Sequence, residues 1–281
     1  MIDMITPHAS HIPEISQLLA AWQLSDPELL TETNTSFVYK AKLKAEAVVL
    51  KVLKPLGIID EKNGANALLY FNGHGAVRVL AHNKQSVLLE YANGPSLDTL
   101  VKQGQDVQAT LIIADILTQL HSQTSSVPEN AFIQLDTWFQ SLFLYSPASD
   151  DQFFKQAASI AEQLLANPQN LRVLHGDIHH EKILNSPRGW LAIDPKGLYS
   201  ESTYDAANAL LNPHTIEELV VNESRLLANA EVLAHALNVD RQRLLQFTFA
   251  YCALSAAWSL EDNQNPALAL QVGNLLKPFV S

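Results

Sequence analysis

The first third of the chain has the pattern of apolar and polar positions that is typical of β-strands. Apolar or β-branched runs, separated by polar residues or by Gly and Asn, predict four strands: Ser36 to Leu43, Ala47 to Leu53, Val77 to Ala81 and Ser86 to Tyr91. One helix, Asp60 to Phe71, is predicted between the second and third strands and is ended by Asn72 and Gly73. A short helical segment that ends near Asp26 and Pro27 is predicted before the strands.

Beyond Asn93-Gly94-Pro95 the apolar spacing changes to that of helices. Four segments have this spacing: Asp106 to Gln123, Asp150 to Ala166, Glu217 to Leu237 and Arg241 to Leu260. Two apolar runs, Leu171 to Leu174 and Gly189 to Ile193, are too short for helices and end directly at polar residues, as strands that present side chains to a cleft do. The sequence therefore predicts a strand-rich lobe, a hinge near 90–95 and a larger helical lobe.

Charge and composition narrow the class of partner. The 281 residues carry a formal net charge of −11, which argues against nucleic acid or an anionic membrane surface and favours a cationic partner. The single cysteine, Cys252, lies in an apolar stretch and is expected to be a buried thiol. Because the chain has neither a signal-like leader nor an apolar run long enough to span a bilayer, we expect a cytoplasmic protein. The sequence does not indicate an oligomeric state.

Two linked segments, His175 to Leu184 and Trp190 to Lys196, resemble the catalytic and metal-binding segments of the aminoglycoside and hydroxyurea phosphotransferases. The agreement continues in order along the chain through Val49 to Leu53, Gly73 to Arg78, Leu88 to Tyr91, Gly94 to Leu97 and Trp258 to Asp262. The resemblance implies an α+β, protein-kinase-like bilobal fold. Residues 1–92 would form the small antiparallel-sheet lobe that binds nucleotide, and residues 93–281 the larger, mainly helical lobe.

The same resemblance implies phosphoryl transfer from ATP, with Mg²⁺, to a hydroxyl or hydroxyl-like group of a small molecule such as an aminoglycoside or hydroxyurea. Asp177 would be the catalytic residue that orients the acceptor, and Asp194 would bind the metal ion. Both aspartates also have a simpler interpretation, because Asp is common where a turn begins or a helix is capped.

In the nucleotide-binding part, Lys51 interrupts an apolar strand, where an ammonium group requires an anion. A nucleotide phosphate would supply it, although an edge-strand lysine that discourages aggregation is the alternative. Kinases pair this lysine with a helix glutamate, and Glu61 is a guess for that partner. The resemblance places Ser36 in a phosphate-covering loop without glycine, although the loop is equally explained as an ordinary turn. It places Glu90 and Ala92 in a hinge that would bind adenine.

Three residues around the catalytic segment are expected to support it. His175 opens the segment, and Asp205 matches an aspartate that braces the catalytic loop from a helix N-terminus. Asp205 is also explained as an ordinary acidic residue in the first turn of a helix. Lys196 is predicted to reach a phosphate oxygen, with an exposed, solvated lysine as the alternative.

Lys182 does not fit the family pattern. It occupies the position of an asparagine that binds a second metal ion, and an ammonium group has no lone pair to offer a cation. The segment Tyr199 to Thr203 also departs from the pattern. Three outcomes are open: one metal ion at Asp194 suffices, with Lys182 lending charge to the phosphates; Glu181 replaces the missing ligand; or the protein binds nucleotide and scarcely turns over.

Two other classes compete with the kinase. A catalytically weakened nucleotide-binding pseudokinase is compatible with Lys182. A metal-dependent hydrolase is suggested by the ligands His175, Asp177, His179 and His180, although the sequence has no second ligand cluster downstream.

Overall fold

The structure is a computed structural model that describes residues 12–128 and 130–280. Its contacts divide the chain into two compact units. Unit 1 comprises the described residues up to Lys62 together with Arg78–Tyr91. Unit 2 comprises Asn63–Val77 and the described residues from Ala92 onwards.

Unit 1 is built on an antiparallel sheet of five strands in the order β1-β2-β3-β5-β4. The strands are β1 (Leu24–Glu32), β2 (Ser36–Leu43), β3 (Glu46–Leu53), β4 (Val79–His82) and β5 (Ser86–Glu90). Two helices accompany them, α1 (Ile12–Ala21) and α2 (Pro55–Asp60). On β3 the buried side chains alternate, with Val48, Leu50 and Val52 in the core, so that Lys51 lies on the opposite face of the sheet.

Strand β1 replaces part of the predicted helical segment. Helix α1 ends at Ala21, and Asp26 and Pro27 lie inside β1, so the prediction that the helix ends near them is wrong. β1 is an edge strand, and its pairing with β2 shifts register between Ser25 and Glu28. A proline has no N–H to donate to the ladder, so an irregular edge strand is where a sheet tolerates it.

The helix predicted from Asp60 to Phe71 is present as α3 (Lys62–Phe71), and the short helix α2 that precedes it was not predicted. Glu61 lies between them with φ −106° and ψ −3°, and its N–H donates to the carbonyl oxygen of Gly57 over 2.8 Å. The break fixes the backbone of Glu61 independently of α3.

Unit 2 is mainly helical, as predicted. Its helices after α3 are α4 (Asp98–Lys102), α5 (Asp106–His121), α6 (Leu135–Trp138), α7 (Gln140–Tyr145), α8 (Gln152–Ala166), α9 (Thr203–Leu210), α10 (Glu217–Val220), α11 (Glu223–Leu237), α12 (Arg241–Glu261) and α13 (Ala267–Leu276). The helix predicted over 217–237 is divided into α10 and α11, because Asn222 caps α11 by accepting the N–H of Arg225 over 3.0 Å.

Helix α12 is the centre of unit 2. It contacts α8, α9, α11 and α13, and its buried residues lie on all sides of the helix, Cys252 among them. A helix that is apolar all round is one surrounded by protein. Within the residues that the structure describes, no helix combines the length and the apolar character needed to cross a bilayer.

Two small sheets complete unit 2. The first has three strands in the order β6-β10-β7, namely β6 (Ile133–Gln134), β7 (Leu171–Leu174) and β10 (Leu198–Glu201). The second is a hairpin of β8 (Ile183–Ser186) and β9 (Gly189–Ala192). The two short strands predicted from sequence are β7 and β9. They lie in different sheets, and their partners β10 and β8 were not predicted.

Candidate active site

Lys51 in unit 1 forms an ion pair with Glu61, the partner that the sequence suggested as a guess. Its Nζ contacts the Oε2 atom of Glu61, and each side chain is 19% exposed. Antiparallel pairing with Val38 and Val87 fixes Lys51 in the middle of the sheet, and the break between α2 and α3 positions the carboxylate. A partly buried pair of this kind holds an ammonium group in a defined orientation.

The turn between β1 and β2 is closed by the hydroxyl of Thr33. Its Oγ1 accepts the backbone N–H groups of Thr35 and Ser36 over 3.2 and 2.9 Å. Ser36 is only 2% exposed, so the exposed part of this loop is formed by Thr33 and Asn34. Lys54 Nζ donates to the carbonyl oxygen of Thr33 over 2.5 Å, which ties the turn to the end of β3.

The predicted hinge residues fall at the end of β5. The N–H of Glu90 donates to the carbonyl oxygen of Arg78 over 2.9 Å, and the carboxylate of Glu90 accepts the N–H of Arg78 over 3.1 Å. The pair closes the edge between β4 and β5. Ala92 is 6% exposed in unit 2.

The predicted catalytic segment in unit 2 begins where β7 ends and is held by Asp205 in the first turn of α9. The Asp205 carboxylate accepts the backbone N–H groups of His175 and Gly176 over 2.8 and 2.7 Å, and it contacts His121 Nε2 at 3.0 Å. Gly176 has φ +80°, and a Cβ there would lie 2.7 Å from the Leu198 side chain. Asp205 therefore holds the backbone of the segment in place.

His175 connects the catalytic segment to the loop that carries Asp194. Its Nε2 lies 2.9 Å from the carbonyl oxygen of Ile193, and its Nδ1 accepts the N–H of Asp177 over 3.2 Å. These two contacts select the tautomer with the proton on Nε2. Complete burial lowers the pKa of His175, so its imidazole is a neutral structural bridge.

Asp177 is oriented by a residue that the sequence analysis missed. The Asn208 side-chain amide donates to Asp177 Oδ1 over 3.0 Å. Asn208 lies one turn after Asp205 on α9, so one helix holds both the backbone and the carboxylate of the catalytic segment. The spacing Asp205 to Asn208 was the signal in the sequence that would have identified it.

A chain of buried polar contacts extends from Asn208 into the helical core. The Asn212 amide donates to Asn208 Oδ1 over 3.1 Å, and Arg225 Nη2 donates to the carbonyl oxygen of Asn212 over 2.9 Å. Arg225 also makes two hydrogen bonds to the carboxylate of Asp106, at 2.8 and 2.9 Å. Arg225 thereby compensates the charge of Asp106. Burial alone would raise the pKa of Asp106, but the hydrogen bonds from Arg225 hold it below the ordinary value.

Lys182 and Asp194 face each other across the β8–β9 hairpin. Ile183 pairs with Ala192, and the N–H of Ile193 donates to the carbonyl oxygen of Lys182 over 2.9 Å. This register brings Lys182 Nζ into contact with Asp194 Oδ2. Asp194 has φ +56°, and the two side chains are 25% and 35% exposed.

The donor set around Asp194 fits one Mg²⁺ ion. Mg²⁺ in phosphoryl-transfer sites is held by one or two carboxylates together with phosphate oxygens and water, so the single carboxylate of Asp194 is sufficient. Lys182 offers no ligand atom and brings a positive charge to the same carboxylate. The residues present therefore accommodate a metal ion at Asp194 and disfavour a second ion at Lys182.

The remaining residues of the loop do not form a zinc centre. Across residues 12–128 and 130–280, no three His, Cys, Asp or Glu side chains gather as metal ligands. Burial, assisted by the charge of Lys182, lowers the pKa of His179 to about 3, and its Nδ1 accepts the N–H of Glu181 over 3.3 Å. The structure therefore does not support the metal-dependent hydrolase.

Lys196 lies in the loop after Asp194. It donates its backbone N–H to the carbonyl oxygen of His175 over 2.7 Å.

The segment Tyr199 to Thr203, the second departure from the family pattern, has a structural role. It forms β10 and the start of α9, and the Glu201 carboxylate pairs with Arg243, whose Nη2 lies 2.6 Å from Glu201 Oε2. Glu201 is 1% exposed. This buried ion pair joins β10 to α12.

The fold matches that of known structures. A solved structure of the aminoglycoside phosphotransferase APH(4)-Ia, a thermostable mutant in a ternary complex with ADP and hygromycin B, matches with a TM-score of 0.61 at 13% identity. The match covers 94% of this chain and 97% of that one. The predicted protein-kinase-like α+β fold is confirmed, with an antiparallel-sheet part and a mainly helical part.

Sequence comparison gives the family. The chain belongs to the aminoglycoside/hydroxyurea antibiotic resistance kinase family, whose profile matches residues 21–263. It is 38% identical over 247 residues to streptomycin 3''-kinase of Klebsiella pneumoniae, covering 86% of this chain and 90% of that protein. It is 29% identical over 201 residues to streptomycin 6-kinase of Streptomyces griseus, covering 68% of this chain and 64% of that protein. These matches confirm the predicted class of enzyme, a small-molecule phosphotransferase.

Proposed function

We propose that this kinase transfers the γ-phosphoryl group of ATP to a hydroxyl group of a small cationic molecule, with streptomycin-like aminocyclitols as the first candidates. The observation that carries the proposal is the Asp177 carboxylate, oriented by Asn208 over 3.0 Å on a backbone that Asp205 fixes. The names of the two similar streptomycin kinases support streptomycin-like acceptors. The ADP in the similar APH(4)-Ia structure supports ATP as the nucleotide.

In the proposed reaction Asp177 accepts a hydrogen bond from the acceptor hydroxyl and orients its oxygen for in-line attack on the γ-phosphorus. A bond forms between that oxygen and the γ-phosphorus, and the bond from the γ-phosphorus to the β–γ bridging oxygen breaks, so that ADP leaves. The hydroxyl proton passes towards Asp177. Because Asn208 already donates to Oδ1, we assign the acceptor to Oδ2.

Lys51 is proposed to bind the nucleotide phosphates, with Glu61 holding its side chain in position. Ser36 would contribute to the turn that covers the phosphates, and the backbone at Glu90 and Ala92 would bind adenine. Lys196 and Lys182 are proposed to contribute positive charge beside the phosphates.

Asp194 is proposed to hold one Mg²⁺ ion, which when bound neutralises charge on the phosphate oxygens. Of the three outcomes that the sequence left open, we favour the one in which this single ion suffices. The position of Lys182 beside Asp194 supports it, because an ammonium group offers no ligand atom and repels a second cation there. A cytoplasmic location remains a prediction.

The test is to purify the protein and measure ADP release with ATP and Mg²⁺ against streptomycin, other aminoglycosides, hydroxyurea and small amino alcohols, with Asp177→Asn as the matched control. We expect streptomycin-dependent turnover in the unmodified protein and a loss of about 100-fold or more in Asp177→Asn, since general-base groups contribute on this scale.

Equal turnover in Asp177→Asn would remove Asp177 from the proposed role. Stabilisation by ATP without transfer to any acceptor in the panel would instead identify a nucleotide-binding pseudokinase.

A further inference from the structure

The turn between β1 and β2, residues 33–36, contains no glycine and is closed by its own hydrogen bonds. Thr33 Oγ1 accepts the backbone N–H groups of Thr35 and Ser36, and the N–H of Thr33 donates to the carbonyl oxygen of Ser36 over 2.9 Å. Protein kinases cover the nucleotide phosphates with a glycine-rich loop, whose backbone is conformationally free. A turn without glycine has less of that freedom, so its shape depends on what packs around it.

Lys54 restrains this turn through its backbone and through its side chain. It is the residue between β3 and α2, and its N–H donates to the carbonyl oxygen of Thr35 over 2.8 Å. Its Nζ donates to the carbonyl oxygen of Thr33 over 2.5 Å and to Glu32 Oε1 over 2.7 Å. The same ammonium group lies 4.4 Å from the centre of the Phe37 ring. One lysine therefore contacts the turn itself and the residues on both sides of it.

These contacts occupy the ammonium group of Lys54. It has three N–H donors, and it is surrounded by a carbonyl oxygen, a carboxylate and an aromatic face of unit 1. The side chain is 19% exposed. Lys54 is therefore placed to act on a nucleotide through the turn rather than through its own charge.

Helix α2 restrains the turn from a second side. Pro55 is the first residue of α2, and the N–H of Ile58 donates to the carbonyl oxygen of Lys54 over 3.0 Å, which joins the lysine to the helix. Gly57 packs directly against the turn, because a Cβ there would overlap the carbonyl oxygen of Thr35. The connection from β3 to α2 therefore supports residues 33–36 along its whole length.

We infer that Lys54 is a positioning residue that, together with Gly57, holds residues 33–36 in one conformation before a nucleotide binds. The inference rests on the proposed phosphoryl transfer and concerns the turn that would cover the phosphates. A loop that becomes ordered only on binding lowers the affinity by the free energy of its ordering, and a loop that is ordered in advance avoids this loss. The turn is thus a fixed wall for the phosphates and not a lid that closes over them.

The test combines amide hydrogen exchange of residues 33–36 with the affinity for AMP-PNP and Mg²⁺, measured by isothermal titration calorimetry. Lys54→Met removes the side-chain contacts to the turn, and Gly57→Ala displaces the turn without a change of charge. Lys42→Met is the matched control, because Lys42 lies on β2 of the same sheet, where it pairs with Asp26 at 3.0 Å.

In the unmodified protein we expect the amides of residues 33–36 to be protected without nucleotide. In Lys54→Met and Gly57→Ala their exchange should accelerate about tenfold and the AMP-PNP Kd should rise about tenfold, whereas Lys42→Met should change neither. In the transfer assay Lys54→Met should raise the KM for ATP and leave kcat unchanged, because it weakens binding and not the chemical step.

Lys54→Met keeps the inference testable if Gly57→Ala fails to fold, because it introduces no overlap with the backbone. Unchanged exchange of residues 33–36 in Lys54→Met overturns the inference, as does an equal rise of Kd in Lys42→Met. If the variants loosen the turn but the unmodified protein binds no AMP-PNP, the restraint by Lys54 stands and the proposed function fails. If transfer proceeds in Lys54→Met with an unchanged KM for ATP, the proposed function stands and the inference fails.

Discussion

Asp177 and Asp194 are the two carboxylates at the centre of the proposed chemistry, and opposite kinds of contact hold them. Asp177 accepts a hydrogen bond from the neutral side-chain amide of Asn208, within a network of buried hydrogen bonds built on Asp205 and His175. Asp194 meets the charged ammonium group of Lys182, and both members of that pair are partly exposed. The orientation of Asp177 should therefore depend on packing and little on salt. Metal binding at Asp194 should instead respond to the ionic strength.

The largest effect is expected where the buried network is broken at its base. Asp205→Ala leaves the N–H groups of His175 and Gly176 without their acceptor, so we expect the free energy of unfolding to fall by about 3–5 kcal/mol. Urea denaturation measures it. The exposed Asp115→Ala is the matched control and should stay within about 0.5 kcal/mol of the unmodified protein. A loss in Asp205→Ala as small as in that control would show that the brace does not support the fold.

Asn208 provides a test of orientation without the loss of a charge. Asn208→Ala removes the donor to Asp177 Oδ1, and we expect kcat to fall about 10- to 100-fold. Asn208→Asp places a second negative charge beside Asp177 and should move the acidic limb of the pH–rate profile to higher pH. A rate loss in both variants with an unmoved acidic limb would argue that Asn208 acts only on stability.

The free energy of unfolding should also depend on pH through the buried residue His180. Burial, and next the charge of Arg225, lower the pKa of His180 from 6.5 to about 4. Between these values the unfolded chain binds the proton and the folded chain does not, so acidification through this range reduces the free energy of unfolding by about 1–2 kcal/mol. His180→Leu should flatten this part of the stability curve, measured by urea denaturation between pH 7 and pH 4.

His180→Leu should cost little stability at neutral pH, because neither ring nitrogen of His180 has a hydrogen-bond partner among the described residues. An identical slope in both proteins would assign the acid sensitivity to other groups.

The smallest effect is expected for metal binding at Asp194. Lys182→Asn removes a positive charge from Asp194 and supplies a metal ligand, so we expect the Mn²⁺ affinity in the presence of a non-hydrolysable ATP analogue to rise about fivefold. Electron paramagnetic resonance measures the bound Mn²⁺ directly, independently of turnover. Lys155→Asn, at an exposed position of α8, is the matched control. Equal metal affinity in both variants would show that Lys182 does not govern the site.

The sequence predicted the strands of the sheet and the long helices well, because their apolar periodicity is a local property. It failed at β1, where Asp26 and Pro27 looked like a helix end and are tolerated only because the strand is at an edge. It also missed the short helix α2, which ends at Asp60, where the predicted helix was expected to begin.

For the site, the motif residues were predicted because they occur in order along the chain. Asn208 was missed because its spacing from Asp205, the one signal for it in the sequence, does not show which residue its side chain faces. The contact of Lys182 with Asp194 was missed because it depends on the register of the β8–β9 hairpin, which is decided by pairing between strands. Both contacts are made between residues far apart in sequence.

Helix α9 carries both Asp205 and Asn208, which hold the backbone of His175 and Gly176 and the carboxylate of Asp177. One helix therefore provides both restraints on the proposed catalytic residue. A change that shifts α9 as a whole would move this backbone and the carboxylate together, without any contact to a substrate.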